Sequence, residues 1–272
     1  MMDSDGPLLA ALRELGLDTV RGAFAYGGGQ QLDKPGLGSR SRTRVVLNVA
    51  GQRQVVYLKR YGRQGPLARL SRRVRGDGAI SRGRREYDNI RAVRAAGVPT
   101  MRELLVGEDM GLLGERRSYV VFSEVAGDAL SRRADLADRL RDDEPLRAEL
   151  TRRLVELVAR LHAAGLVHRD LYASHVFAAD AAGGLELSLI DLARVFAPRR
   201  RRFRWFVKDL ASLKFSMPRS WVQPCWDRFL CDYLLTAGAL GVGPGGWQQA
   251  IAQRERWMRR REQRKLPAAE TR

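Results

Sequence analysis

Residues 165–177 read GLVHRDLYASHVF. Two of the chain's three histidines, His168 and His175, lie here, with Arg169 and Asp170 between them and apolar residues at both ends. A polar cluster framed in this way is a loop pinned between buried elements. Upstream, Leu146, Leu150, Leu154, Leu157, Val158 and Leu161 form one apolar stripe at helical spacing. Pro145 stands near the start and Gly165 at the end, so residues 144–165 are predicted to be a helix. Downstream, LELSLIDLARV (185–195) reads as a buried strand with Asp191 near its end.

The 272-residue length allows one large domain or two tightly joined lobes. At 44% hydrophobic residues the chain can bury a core, which excludes a disordered protein. Lys and Arg number 49 against 31 Asp and Glu, a net charge of +18. Such a field attracts polyanions: nucleic acid, an anionic membrane face or a phosphorylated substrate. Cys225 and Cys231 are too few for a disulfide framework or a zinc site, and read as buried thiols in a reducing compartment. PLLAALRELGL (7–17) is interrupted by Arg13 and Glu14 and is too short for a signal or a membrane span. No other apolar run approaches ~18 residues. The expected location is cytoplasmic, with any membrane contact peripheral.

Residues 19–33 read as a strand with a glycine interruption, and 34–42 as a turn or loop. TRVVLNVAGQRQVVYLKRY (43–61) is a β-hairpin turning at Ala50-Gly51. Residues 62–85 are polar, Gly-rich and basic, a loop or short helix. RREYDNIRAVRAAGVP (84–99) is a helix with Tyr87, Ile90 and Val93 on one face, stopped by Gly97 and Pro99. Residues 102–109 and 117–125 are strands. The last third is helical: Trp226, Phe229, Leu230, Tyr233 and Leu234 share a face, GALGVGPGG (238–246) breaks that helix, and a basic helix runs from about Trp247. There is no internal repeat. Strands first and helices later predict an α+β, two-lobed chain. Residues 1–125 form a β-rich nucleotide-binding lobe and 126–272 a mainly helical lobe, with a hinge near 124–127.

His168-Arg169-Asp170, four residues, then a polar side chain at 175 has the spacing of the protein-kinase catalytic loop. Such a loop presents a carboxylate to the hydroxyl that attacks the γ-phosphate, and five residues on it aims a second side chain at the metal and phosphates. Asp170 is then the base or hydroxyl-orienting group, with His168 and Arg169 structural. Lys59, on a strand after a hairpin, stands where a lysine grips the α- and β-phosphates, and Glu86 in the next helix pairs with it. Asp191 follows an apolar strand 21 positions after Asp170 and would hold Mg²⁺. The glycine-rich element is weak. Gly36 and Gly38, within 35–41, are favoured as the phosphate-covering turn, with Arg40 or Arg42 nearby.

With these residues the chain resembles the bacterial lipopolysaccharide-core kinases, which phosphorylate heptose or Kdo sugars on a protein-kinase-like fold. YLKRY, HRDLYASHVF, LSLIDLARV and VKDLASLKFSM carry the resemblance, which spans roughly residues 23–235. It implies ATP, Mg²⁺, transfer to a sugar hydroxyl, and work at the membrane's inner face. It implies catalytic roles for Asp170, Lys59 and Glu86, and a buried Asp209 bracing the catalytic loop. The hinge residues Glu124, Val125 and Ala126 complete the nucleotide contacts. Position 175 is Asn in protein kinases, where it binds a second Mg²⁺. Imidazole is a poor Mg²⁺ ligand, so His175 either donates to a phosphate oxygen or replaces one metal contact.

Asp209 follows Asp191 by 18 positions with no Ala-Pro-Glu after it, too little chain for a peptide-docking activation segment. That favours a non-peptide acceptor, an anionic glycolipid or sugar. Arg199, Arg200, Arg201 and Arg202 lie within this segment. They suit phosphate or carboxylate on the acceptor, or form a solvated charge run. A basic cluster spans Arg60 to Arg85. Another, RERWMRRREQRK (254–265), is either a strap on anionic lipid or a frayed tail. A protein kinase or another small-molecule phosphotransferase is the alternative within the fold. A non-catalytic kinase-like scaffold or a basic polyanion-binding module is the alternative outside it. Nucleic acid is disfavoured, because no zinc pattern, RNA-binding motif or aromatic interleaving accompanies the arginine runs.

Overall fold

The computed structural model describes residues 6–32, 38–65, 67, 71, 79–112, 114–238 and 240–264. It divides into two compact units, Met1–Ala95 with Thr100–Val125, and Ala96–Pro99 with Ala126–Arg272.

The first unit is built on an antiparallel sheet of order β1-β2-β3-β5-β4: β1 Gln30–Gln31, β2 Arg40–Val49, β3 Gln52–Tyr61, β4 Glu103–Gly111 and β5 Gly114–Ser123. The β2–β3 hairpin closes through Ala50 and Gly51 at φ 49° and 76°, a two-residue turn whose twist matches its strands. Side chains alternate across a strand. Val56 and Leu58 on β3, with Tyr119 and Val121 on β5, therefore face one way. They bury against Leu8 and Leu12 of α1 (Gly6–Glu14). Lys59 faces the opposite way, toward α3 (Arg82–Ala95), the helix between β3 and β4.

The strand expected over 19–33 is mostly a helix, α2 (Val20–Ala25), with only Gln30 and Gln31 extended. Thr19 caps it, its hydroxyl accepting from the Gly22 N–H at 3.0 Å. The decisive partner is distant in sequence. The Arg60 guanidinium donates to the carbonyls of Ala23 and Tyr26, each at 2.6 Å, and to the Thr43 hydroxyl at 2.8 Å. Arg60 is thus a buried brace at the C-terminal end of α2, not part of a solvated basic cluster. Much of the expected cluster from 62 to 85 lies outside the described residues.

The second unit holds a three-stranded antiparallel sheet and most of the helices. Its strands are β6 Asp128–Ala129, β7 Val176–Ala181 and β8 Gly184–Leu189, and its helices α4 Ala134–Arg139, α5 Glu144–Ala163, α6 Arg202–Ser216, α7 Arg219–Ala237 and α8 Pro244–Gln263. Asp143 caps α5, accepting from the Leu146 N–H at 2.8 Å, and Pro145 sits in the first turn where its missing N–H costs nothing. Leu150, Leu154, Val158 and Leu161 are fully buried where α5 packs on α7 and β8. β7 escaped the sequence reading because its run is short and rich in alanine. Its partner β6 is only two residues, placed by Gly127 at φ 81°, where a Cβ would lie 2.1 Å from the Ala178 carbonyl oxygen. Cys225 is buried, but Cys231 is exposed on the outer face of α7, contrary to the expectation for both thiols. The basic C-terminal stretch is a docked helix over its described length, anchored by Trp247, Ile251 and Met258.

Arg60→Met should lower the unfolding free energy by about 2–3 kcal/mol, because it strands two buried carbonyls. The urea midpoint measures this, and a change below about 0.5 kcal/mol, the range of ordinary surface substitutions, would show the brace to be dispensable.

Candidate active site

In the first unit the strand alternation that turns Leu58 to the core turns Lys59 toward α3. Gly83 lets α3 lie unusually close: its N–H donates to Ser118 Oγ at 2.9 Å, and a Cβ there would meet the Tyr119 carbonyl oxygen at 2.7 Å. One turn on, Glu86 Oε1 receives Lys59 Nζ at 2.9 Å, with both side chains sealed from solvent. The Tyr61 hydroxyl donates to the other carboxylate oxygen, Oε2. The buried stripe of α3 is Gly83, Glu86, Ile90 and Val93, while Tyr87, expected on that face, is half-buried beside it. A carboxylate on a core stripe is stable only because its lysine and tyrosine partners meet it there.

Other first-unit candidates are more open. Gly38 sits in the turn before β2 at φ 59°, with open space around it, and Gly36 lies outside the described residues. Glu124 Oε1 accepts from Arg44 at 3.2 Å and from the Tyr57 hydroxyl at 3.1 Å. Burial, then the Glu124 charge, push the Tyr57 pKa up. Val125 is half-buried, and Ala126, already part of the second unit, is exposed.

In the second unit the loop after α5 is held from beneath by Asp209 on α6. Its fully buried Oδ2 accepts the backbone N–H of His168 at 2.6 Å. The third histidine, His162 in the last turn of α5, presents Nε2 to the same oxygen at 3.5 Å and Nδ1 to the Tyr233 hydroxyl at 2.8 Å. A carboxylate accepts, so Nε2 carries the proton and the tyrosine donates to Nδ1. Sequence reasoning passed over His162; its only signal was a histidine one turn before the loop. His168 Nε2 lies 3.0 Å from the Ile190 carbonyl, which fixes the tautomer with the proton on Nε2. Burial pushes the His168 pKa below the usual histidine range, so the ring is a neutral strut. Arg169 takes a left-handed backbone, φ 71°, and its guanidinium stands 5.4 Å from the ring centres of both Phe196 and Trp205. Paired backbone bonds between Val167 and Phe196 tie the loop to the segment after Asp191.

These anchors present the Asp170 carboxylate at the surface of the unit. Arg194 Nη1 reaches its two oxygens at 2.7 and 3.1 Å, and Lys208 Nζ stands 3.7 Å from Oδ1 while donating to the Arg169 carbonyl. Burial lowers the Lys208 pKa, with Asp170 opposing that shift. Neither cation was singled out in the sequence. Both flank recognised positions, Lys208 next to Asp209 and Arg194 three after Asp191, and that proximity was the available signal. Asp170 borders an open cavity of about 900 Å³. Arg199–Arg202 do not line it: Arg199 and Arg200 are exposed in the segment before α6, and Arg202 stacks on Phe206.

His175 and Asp191 are brought together. The His175 Nδ1 donates to the Asp170 carbonyl at 2.7 Å, and its Nε2 faces Asp191 Oδ2 at 3.8 Å. Asp191 itself has a left-handed backbone, φ 57° and ψ 57°, at the end of the β8 segment. His175 Nε2 and the Asp191 carboxylate thus turn toward the same space. Among the described residues no group of three or more His, Cys, Asp or Glu is placed to hold a metal ion. Mg²⁺ needs no such cage, being held by one or two carboxylates together with substrate phosphates and waters. Asp191 fits that demand, and His175 is the less suited second donor.

Removing Glu86 takes from the buried Lys59 ammonium its carboxylate partner. Glu86→Leu should therefore cost about 3–5 kcal/mol. Lys59→Met with Glu86→Leu should recover most of that loss. Denaturant titration of the double-mutant cycle checks this, and strictly additive losses would contradict the pairing energetics.

The model of the lipopolysaccharide kinase (Kdo/WaaP) family matches residues 31–233. Over 143 residues the chain is 36% identical to the lipopolysaccharide core heptose(I) kinase WaaP of Pseudomonas aeruginosa, covering 49% of this chain and 52% of that one. It is 33% identical over 138 residues to the Escherichia coli protein of the same name, covering 48% and 52%. The chain spans about half the length of the curated relatives it matches. A solved structure, WaaP in complex with acyl carrier protein, matches with a TM-score of 0.60 at 25% identity over 87% of this chain and 88% of that one. The fold is α+β and kinase-like, an antiparallel sheet in the first unit and mainly helices in the second. On the extent of that family match, the chain is a member of the lipopolysaccharide kinase (Kdo/WaaP) family.

Proposed function

We propose that this protein is an ATP-dependent kinase that transfers the γ-phosphate to a sugar hydroxyl of a lipopolysaccharide-type glycolipid. The observation that carries the reading is the Asp170 carboxylate, set on a loop clamped by Asp209, bordering a cavity and flanked by Arg194 and Lys208. Family membership supports the reaction class, and the heptose(I) kinase relatives support a sugar as acceptor.

In this reading Asp170 orients the attacking hydroxyl and takes its proton as the oxygen bonds to the γ-phosphorus and the bond to the ADP oxygen breaks. Lys208 and Arg194 hold positive charge where the transferred group's oxygens gather negative charge. Lys59, fixed by Glu86, binds the α- and β-phosphates, and Glu124, Val125 and Ala126 hold the nucleotide base. Asp191, with His175 beside it, would hold Mg²⁺. ATP with Mg²⁺ would supply, when bound, the activated phosphoryl group and a cation that offsets its negative charge. His168, Arg169 and Asp209 position the loop. We place the enzyme at the inner face of the cell membrane, where such an acceptor is assembled. Among the described residues no helix is long and apolar enough to cross a membrane. An acyl carrier protein is a further partner we propose, on the strength of the complex formed by the solved relative.

Labelled ATP, Mg²⁺ and a total envelope extract should give label in the glycolipid fraction. Asp170→Ala should cut transfer by about 10³-fold or more while still binding nucleotide. Lys208→Met should lower kcat by about 10²-fold, in line with the loss of one charge-stabilising donor. Label in protein would favour a protein kinase. No turnover together with binding to generic duplex DNA would favour a basic binding module.

A further inference from the structure

The cavity beside Asp170 runs between α6 and α8, and three of the cations on its walls, Arg204, Arg254 and Arg261, have no acidic partner among the described residues. On α8, Arg254, Trp257, Met258 and Arg261 fall at i, i+3, i+4 and i+7, one face of the helix. Arg204 faces the same cavity from α6. Met258 is buried and seats the helix, while Trp257 is exposed. The Arg254 and Arg261 guanidiniums stand 4.1 and 5.4 Å from the Trp257 ring centre, so the indole holds both forks in place.

Arg204, Arg254 and Arg261 make no ion pair or hydrogen bond among the described residues, and the Nε of Arg254 is buried without a partner. Other cations at the α6–α8 contact are matched: Lys214 and Arg259 both reach Glu255. Burial, then the nearby charge of Arg204, press the Arg254 pKa down. Three forks crowded on one cavity repel one another unless an anion lies between them. Glu262 and Asp170 are the acidic residues on its lining. Asp170 is already engaged by Arg194 and Lys208. α8 lies beyond the residues matched by the family model, so this wall is supplied by a part of the chain outside that match.

We propose that Arg204, Arg254 and Arg261 bind a phosphate or carboxylate on the acceptor sugar, setting the register in which its hydroxyl meets Asp170. This rests on the kinase reading for the role of Asp170, but the anion site stands on its own geometry. A sugar, rather than a membrane face, is favoured because the forks line a concavity that also holds Asp170. A flat anionic surface would be met by a convex basic face.

The test is calorimetric titration of the full chain with glucose 6-phosphate, glucuronate and glucose. Both anionic sugars should bind and glucose should not. Arg254→Gln with Arg261→Gln should weaken anion binding by about tenfold or more, the loss expected for charge-assisted bonds. Arg204→Gln, an exposed position, should weaken it in a fold left intact by thermal melting. In transfer assays with envelope glycolipid the same variants should raise the acceptor KM and leave the ATP KM unchanged. Equal affinities for wild type and all variants would overturn the proposal. So would loss of sedimentation with phosphatidylglycerol vesicles while sugar affinities stay the same, the result expected of a membrane strap. The titration needs no turnover, so its failure leaves the kinase reading standing. Intact anion binding without phosphoryl transfer removes the kinase reading alone.

Discussion

A carboxylate sealed from water must be met by donors, and Asp209 is met by the backbone N–H of His168 and by the His162 ring. One oxygen of a side chain on α6 thereby fixes the end of α5 and the start of the loop that follows it. The neighbouring Lys208 donates to the carbonyl of Arg169, so two consecutive residues of one helix grip the backbone of two consecutive residues of the loop. Asp170 is the next residue along. Its position is a consequence of buried polar bonds, which tolerate little displacement. The second Asp209 oxygen is buried without a hydrogen-bond partner among the described residues.

The charge of the chain divides into different kinds of arginine. Arg60 is spent inside the first unit on helix carbonyls, and Arg169 is packed against Phe196 and Trp205. Arg133 is held by Asp135 and Asp180. Arg204, Arg254 and Arg261 are left facing a cavity without counter-ions among the described residues. Composition counts all of these alike. Only their partners distinguish a structural brace from a cation available to a ligand.

Long periodic elements were readable before any coordinates: the apolar stripe of α5, the β2–β3 hairpin with its Ala50-Gly51 turn, and the aromatic face of α7. The contact between Lys59 and Glu86 was also readable, because a lysine on the strand after a hairpin and an acid in the next helix match the order of a kinase's phosphate-gripping pair. What the sequence concealed depends on partners far away along the chain. α2 is a helix because Arg60 satisfies its last carbonyls, and β6 is a strand because Gly127 lets it approach Ala178. The cations beside Asp170 were hidden for the same reason. Arg194 and Lys208 lie 24 and 38 positions away from it and meet it only in the folded second unit.

Asp209 holds the loop from His168 to Asp170 in place locally, separately from its part in the core. Backbone hydrogen exchange of wild type and Asp209→Ala reads this local hold. The His168 amide and its loop neighbours should lose protection by about tenfold or more, while the amides of residues 150–161 in α5 keep theirs. Unchanged exchange at His168, or an equal loss along the whole of α5, would contradict it.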